Sequence, residues 1–343
     1  MSTPLEDFIK KQIQHAGPMD VGQYMAIALG HPEHGYYMKQ DPLGRDGDFT
    51  TAPEISQMFG EMLGIWAADA WLALRMPKKF ALVECGPGRG TLMKDLMRAV
   101  KKVEGFHDAA EIHLIEISEA LKEKQKANLA QYDPTWHKSF ETVPTDMPLF
   151  VIGNEFLDAL PFRQFVFKDG RWQERVVCVD DDALVFGMRA AGHFADKLPK
   201  RAELDDIYEI SPVREVFIKN VAERLKVQHG AGIFIDYGYN EDGFGDTFQA
   251  VRGHEYVDVL SHVGDADLTS HVDFAALHRR VGKNHAQLTT QGDFLRSLGI
   301  VIRAEVLKKK ATRDQSKALQ RGLDRLINYS EMGELFKVLL ISG

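Results

Sequence analysis

The stretch Phe80-Ala-Leu-Val-Glu-Cys-Gly-Pro-Gly-Arg-Gly-Thr91 restricts the fold of this chain more than any other. Its apolar run, Phe80 to Val83, reads as a short buried strand that Glu84 closes. Gly86, Gly88 and Gly90 follow at alternate positions, and Leu92, Met93, Leu96, Met97 and Val100 then share one face of a helix. Strand, glycine turn and helix in that order make the nucleotide-cradling corner of a doubly wound α/β sheet. The glycines permit a tight turn and a close approach of backbone to ligand. A dinucleotide fingerprint, G-x-G-x-x-G, would need glycine where Thr91 stands, so a dehydrogenase is disfavoured.

A second strand, Glu111 to Ser118, carries Glu116 near its end. A carboxylate there can accept hydrogen bonds from both ribose hydroxyls. The glycine turn with Glu84, Gly86, Gly88 and Gly90, together with Glu116, is the S-adenosylmethionine pattern of class I methyltransferases. The expected fold is therefore α/β: a Rossmann-like class I methyltransferase fold with a seven-stranded sheet.

Other segments fill in that plan. Residues 5–14 and 21–29 read as helices before Gly30-His-Pro32, and the polar stretch 41–50 reads as a mobile loop. Pro53 and Glu54 open a long helix with apolar period from Ile55 to Leu74. Helix 119–129, a short strand at 137–140 and a strand at 149–153 follow. Phe162 to Phe186 alternates around Asp169-Gly170 and reads as a β-meander, and 199–206 as a charged linker. A helix from Ser211-Pro212, a strand at 232–238 and an irregular stretch 251–267 come next. Helix 274–281, a strand at 283–288, helices over 294–328 and a last strand at 335–341 complete the chain. These elements divide it into an N-terminal helical extension (1–76), a first half of the cofactor domain (77–161), an inserted meander and helix (162–229), and a second half (230–343).

Composition narrows the partners. The formal net charge is -8 over 343 residues, which argues against nucleic acid. Two cysteines, Cys85 and Cys178, make no disulfide framework, and no Cys/His spacing suggests a metal. No apolar run reaches the length of a membrane span, and the N-terminus has neither a signal h-region nor an Arg-rich transit pattern.

The chain resembles the MidA-like methyltransferases. The resemblance rests on His34-Gly-Tyr-Tyr37, on Gly47-Asp-Phe-Thr-Thr-Ala-Pro-Glu-Ile-Ser-Gln-Met-Phe-Gly-Glu61, on the glycine turn and on Asn154-Glu-Phe-Leu-Asp-Ala-Leu-Pro161. Asp236-Tyr-Gly238, Asp267-Leu-Thr-Ser-His-Val-Asp-Phe274 and Met332-Gly-Glu-Leu-Phe-Lys-Val338 extend it over nearly the whole chain. The chain departs from the family at His262-Val-Gly264, where a Pro-Gly pair is usual, and at Val251-Arg-Gly-His254. The resemblance implies S-adenosyl-L-methionine as cofactor and a protein substrate. Mitochondrial members help assemble respiratory complex I and are associated with dimethylation of an arginine in a core subunit. It also implies cytoplasm in a bacterium, or the mitochondrial matrix in a eukaryote, and leaves a homodimer open.

Chemistry in open α/β sheets collects beyond the carboxyl ends of the strands. Asn154, Glu155 and Asp158 stand there after the 149–153 strand. On the methyltransferase reading, Glu155 and Asp158 hold a guanidinium, Asn154 orients it or touches the cofactor, and Glu155, Asp158 or His271 accepts the proton. The competing readings are structural. Asn154, Glu155 and Asp158 could cap a helical turn, Asp236 is either near the substrate or a turn acid, and His271 and Asp273 could cap helix 274–281. A cofactor-binding assembly factor without activity, and a small-molecule methyltransferase, are the alternative functions.

Overall fold

The computed structural model describes residues 2–39 and 51–343, so the expected loop at 41–50 lies outside the described residues. Its centre is a sheet of β1 (Phe80–Cys85), β2 (Ala110–Ile115), β3 (Thr135–His137), β4 (Leu149–Asn154), β5 (Gly230–Tyr239), β6 (Ala286–Thr290) and β7 (Phe336–Ser342). The strands lie in the order β3-β2-β1-β4-β5-β7-β6. β7 runs antiparallel to both neighbours, while β1 to β5 are parallel. The two-residue strand Val272–Asp273 adds to β5 beyond the expected seven. β1 and β4 are buried along their whole length, as the near-continuous apolar runs of a covered parallel sheet require. β1 and β4 are neighbours, so the glycine turn and Asn154 leave the same edge of the sheet.

The aromatic rings of Trp71, Phe80, Phe106 and Phe150 pack in the core on one face of the sheet. Burying each such ring is worth about 1.5–3 kcal/mol relative to exposure. Here α1 (Ala52–Ile55) and α2 (Gln57–Ala73) stand where the periodicity suggested one helix. Ser56 is extended and its hydroxyl accepts from Met58 N–H, so a new helix starts there. α2 lies tightly on α3 (Thr91–Ala99): a Cβ on Gly60 would come within 2.7 Å of Asp95 Cβ, and one on Gly64 within 2.9 Å of Leu96 O.

The meander is larger than expected. Arg163–Lys168, Arg171–Asp180 and Ala183–Ala190 form it, Ile207–Ile210 pairs with the first, and Met19–Asp20 pairs with the second. Residues 251–267 are not irregular throughout. Gln249–Arg252 and Glu255–Val257 form a hairpin, and Asp267–Thr269 pairs beside it. Gly253 (φ +58°) and His254 (φ +64°) both take the left-handed conformation of a type I′ turn. No helix among the described residues is long and apolar enough to cross a membrane.

Candidate functional site

The turn after β1 has Gly86, Gly88 and Gly90 at φ +63°, +53° and +79°, conformations that L side chains resist. A Cβ on Gly86 would also meet the Phe156 ring at 3.1 Å. Glu116 follows β2. Its Oε1 accepts from Ile117 and Ser118 N–H, both at 2.8 Å, and its Oε2 accepts from Gln125 Nε2 at 3.1 Å. Gln125 also donates to Gly88 O at 2.7 Å, and Asn128 donates to Arg89 O at 2.9 Å. α4 (Glu119–Leu129) thus ties the acid to the glycine turn. Nothing in residue type alone marked Gln125 or Asn128 for this work.

A cavity of about 470 Å³ lies over these groups, within the range of small-ligand sites. Glu84, Gly86, Gly88, Glu116, Asn154, Glu155 and Asp158 all line it. Gly90 is not among its lining residues. It serves as the N-cap of α3. Glu84 is 3% exposed, its Oε2 has no hydrogen-bond partner among the described residues, and burial pushes its carboxyl up to about 8.

At the other end, Glu155 has φ +48°, and this left-handed step starts the turn out of β4. Its Oε1 accepts from Ala52 N–H at 2.9 Å and from Asn154 Nδ2 at 3.1 Å. Its Oε2 takes no hydrogen bond among the described residues. Burial is the main reason its carboxyl rises to about 7, and the charge of Asp158 adds to it. Asn154 Oδ1 is buried without a partner among the described residues. Asp158 is already engaged: Tyr237 Oη donates to Oδ2 at 2.6 Å and Ala159 N–H to Oδ1 at 2.8 Å.

Asp236 proves to be a turn acid. It is fully buried, and its Oδ2 accepts from Phe156, Leu157 and Asp158 N–H at 3.2, 2.9 and 3.1 Å. The Arg214 guanidinium clamps the far side, donating to Asp158 O (2.9 Å), Leu160 O (3.1 Å) and His271 O (2.9 Å). His271 is not brought to this cavity. It packs edge-on to Tyr237 and lines a separate one with Tyr208, Arg214 and Tyr239. Asp273 caps the helix Phe274–Val281 by accepting from Ala276 N–H at 2.8 Å.

The open acceptors on Glu84, Asn154 and Glu155, with Glu116 beside them, fit a ligand rich in hydroxyl and N–H groups and positive charge. Residues 62–293 match the family profile of S-adenosyl-L-methionine-dependent methyltransferases. The chain belongs to this family. The methyltransferase is 36% identical over 364 residues to mouse protein arginine methyltransferase NDUFAF7, mitochondrial, covering 97% of this chain and 83% of the mouse protein. Its human counterpart is 34% identical over 364 residues, covering 97% of this chain and 82% of the human protein. A Burkholderia thailandensis protein solved with S-adenosyl-homocysteine bound superposes with TM-score 0.87 at 27% identity, covering 100% of this chain and 95% of that one. The cofactor of this methyltransferase is S-adenosyl-L-methionine.

Proposed function

We propose that this methyltransferase methylates an arginine nitrogen of a partner protein, with Glu155 holding the guanidinium and taking its proton. The observation that carries the reading is the acidic lining of the cavity. Seven carboxyls line it against two cations, Arg89 and Lys138, among the described residues. Such a wall favours cationic occupants, and a planar guanidinium pairs well with carboxylate. The relatives named protein arginine methyltransferase support the same choice.

In this reading Glu116 accepts from the ribose, while Glu84, Asn154 and the backbone of Gly86 and Gly88 seat the rest of the cofactor. The bound cofactor supplies a methyl group on a positively charged sulfur. Glu155 offers Oε2 to the guanidinium, because Ala52 and Asn154 occupy Oε1. Transfer to nitrogen leaves a surplus proton, and a carboxyl raised to about 7 is matched to accept it near neutral pH. Asp158 adds negative potential from behind. His271, in its separate cavity, has no part in the step.

The candidate substrate is a core subunit of respiratory complex I, which the MidA-like resemblance supports. The mitochondrial names of the relatives support the matrix as the compartment in a eukaryote, and the cytoplasm is the corresponding one in a bacterium. Exposed Val301, Ile302 and Val306 on one helix support a homodimer, which a monomeric sedimentation profile would remove.

The test is incubation of the protein and an extract with methyl-labelled cofactor, followed by mass spectrometry of labelled peptides. Label on arginine is expected. Label on lysine, a carboxylate or a small molecule overturns the reading.

A further inference from the structure

Glu54 lies in the same cavity but comes from outside the sheet, on α1. Its Oε1 accepts from Thr91 Oγ1 at 2.6 Å. That is the only hydrogen bond it makes among the described residues, and it has no ion pair there. Thr91 is the first residue of α3, immediately after the glycine turn. Glu84, the residue before Cys85 at the end of β1, lines the same cavity just ahead of the glycine turn. Two carboxyls from distant segments therefore line the cavity at the glycine turn, Glu84 before it and Glu54 at the residue that follows it. One of them, Glu84, is buried with an oxygen that has no partner among the described residues. A buried carboxylate on a cavity wall is costly unless a cation or an N–H group meets it.

Glu116 sits at the other side of the glycine turn, beyond β2. A cofactor laid across the turn with its ribose at Glu116 would carry its amino-acid end toward Thr91, which lines the same cavity. We propose that Glu54 recognises the α-ammonium of that end, with the Thr91 hydroxyl fixing its carboxyl in place. This rests on the assignment of Glu116 to the ribose. The cofactor is thus gripped from two elements: the sheet holds adenosine, and α1, beside the end of the glycine turn, reads the amino acid.

The full chain is titrated calorimetrically with S-adenosyl-homocysteine and with 5′-methylthioadenosine, which keeps the adenosine and sulfur but lacks the amino-acid end. Glu54→Gln should weaken S-adenosyl-homocysteine by about tenfold to a hundredfold, the usual weight of a charged hydrogen bond, and leave methylthioadenosine within about twofold. Thr91→Val should give the same selectivity with a smaller loss. Glu54→Asp, which keeps the charge but shortens the reach, guards against misfolding of the first variant and should fall between wild type and Glu54→Gln. Equal losses for both ligands, or no loss for either, overturn the proposal. The ribose assignment fails separately, if Glu116→Gln binds methylthioadenosine as well as wild type does.

Discussion

The two ends of the cavity are built in opposite ways. At the cofactor end, Glu84, Gly86 and Gly88 lie on one short stretch, and Glu116 waits at the tip of the adjacent strand. At the acid end, Glu155 takes its position from residues far away in sequence. Ala52 supplies an N–H from 103 positions upstream, Asp236 cups three amides from the next strand, and Arg214 and Tyr237 close the far side. Local backbone conformation makes the first end, and tertiary packing makes the second. Damage at the first should therefore appear as lost ligand affinity, and damage at the second as lost turnover or stability.

The largest expected effect breaks that contrast most directly. Glu155→Gln should lower methyl transfer by about 10²–10⁴-fold, the usual weight of a general base, with S-adenosyl-homocysteine affinity unchanged by calorimetry. A parallel loss of affinity would mean that the two ends are not separable. In the wild type, activity should climb with pH and level off above about 7, as the Glu155 carboxyl ionises, and a flat profile across that range would remove the carboxyl from the proton step. Glu116→Gln should act the other way round, weakening the cofactor by about tenfold to a hundredfold while single-turnover transfer at saturating cofactor is largely kept.

Smaller effects sharpen the contrast. Asp236→Asn leaves three buried amides with a poorer acceptor and should cost about 1–3 kcal/mol in urea unfolding. Glu155 also leaves a signature in stability. Its folded carboxyl titrates above the unfolded value, so its contribution is fully present below about 4.5 and is lost as pH rises through about 7. Glu155→Gln should flatten that part of the stability profile, and an unchanged slope would mean that the carboxyl titrates normally. Last, His271→Ala should leave methyl transfer within about twofold, since its ring lines a different cavity.

The cofactor end was legible because its signals are local. Apolar runs, alternate glycines and an acid after the second strand are visible without knowing what packs on what. The acid end was only half legible: the position of Asn154 and Glu155 after β4 could be read from strand polarity, but their partners could not. Asp236 read equally as substrate acid or turn acid, because residue type does not say which amides point at it. Ser56 interrupted a helix whose apolar period ran straight through, since a hydroxyl that caps competes with propagation. The hairpin at Gly253-His254 did carry a turn signal, masked by the charged, short strands around it. Strand Ile207–Ile210 is too short to show alternation and is held by its pairing with Arg163–Lys168.

The left-handed backbone at Glu155 has an evolutionary consequence. Glycine or asparagine would sit there more comfortably, by something on the order of 1 kcal/mol for a non-glycine residue in that region. Selection for a sturdier protein alone would push this codon away from glutamate. A lineage that keeps the acid is holding it against that drift, and a lineage that has let it relax to glycine would be expected to have kept the cofactor seat as a fossil of a reaction it no longer performs.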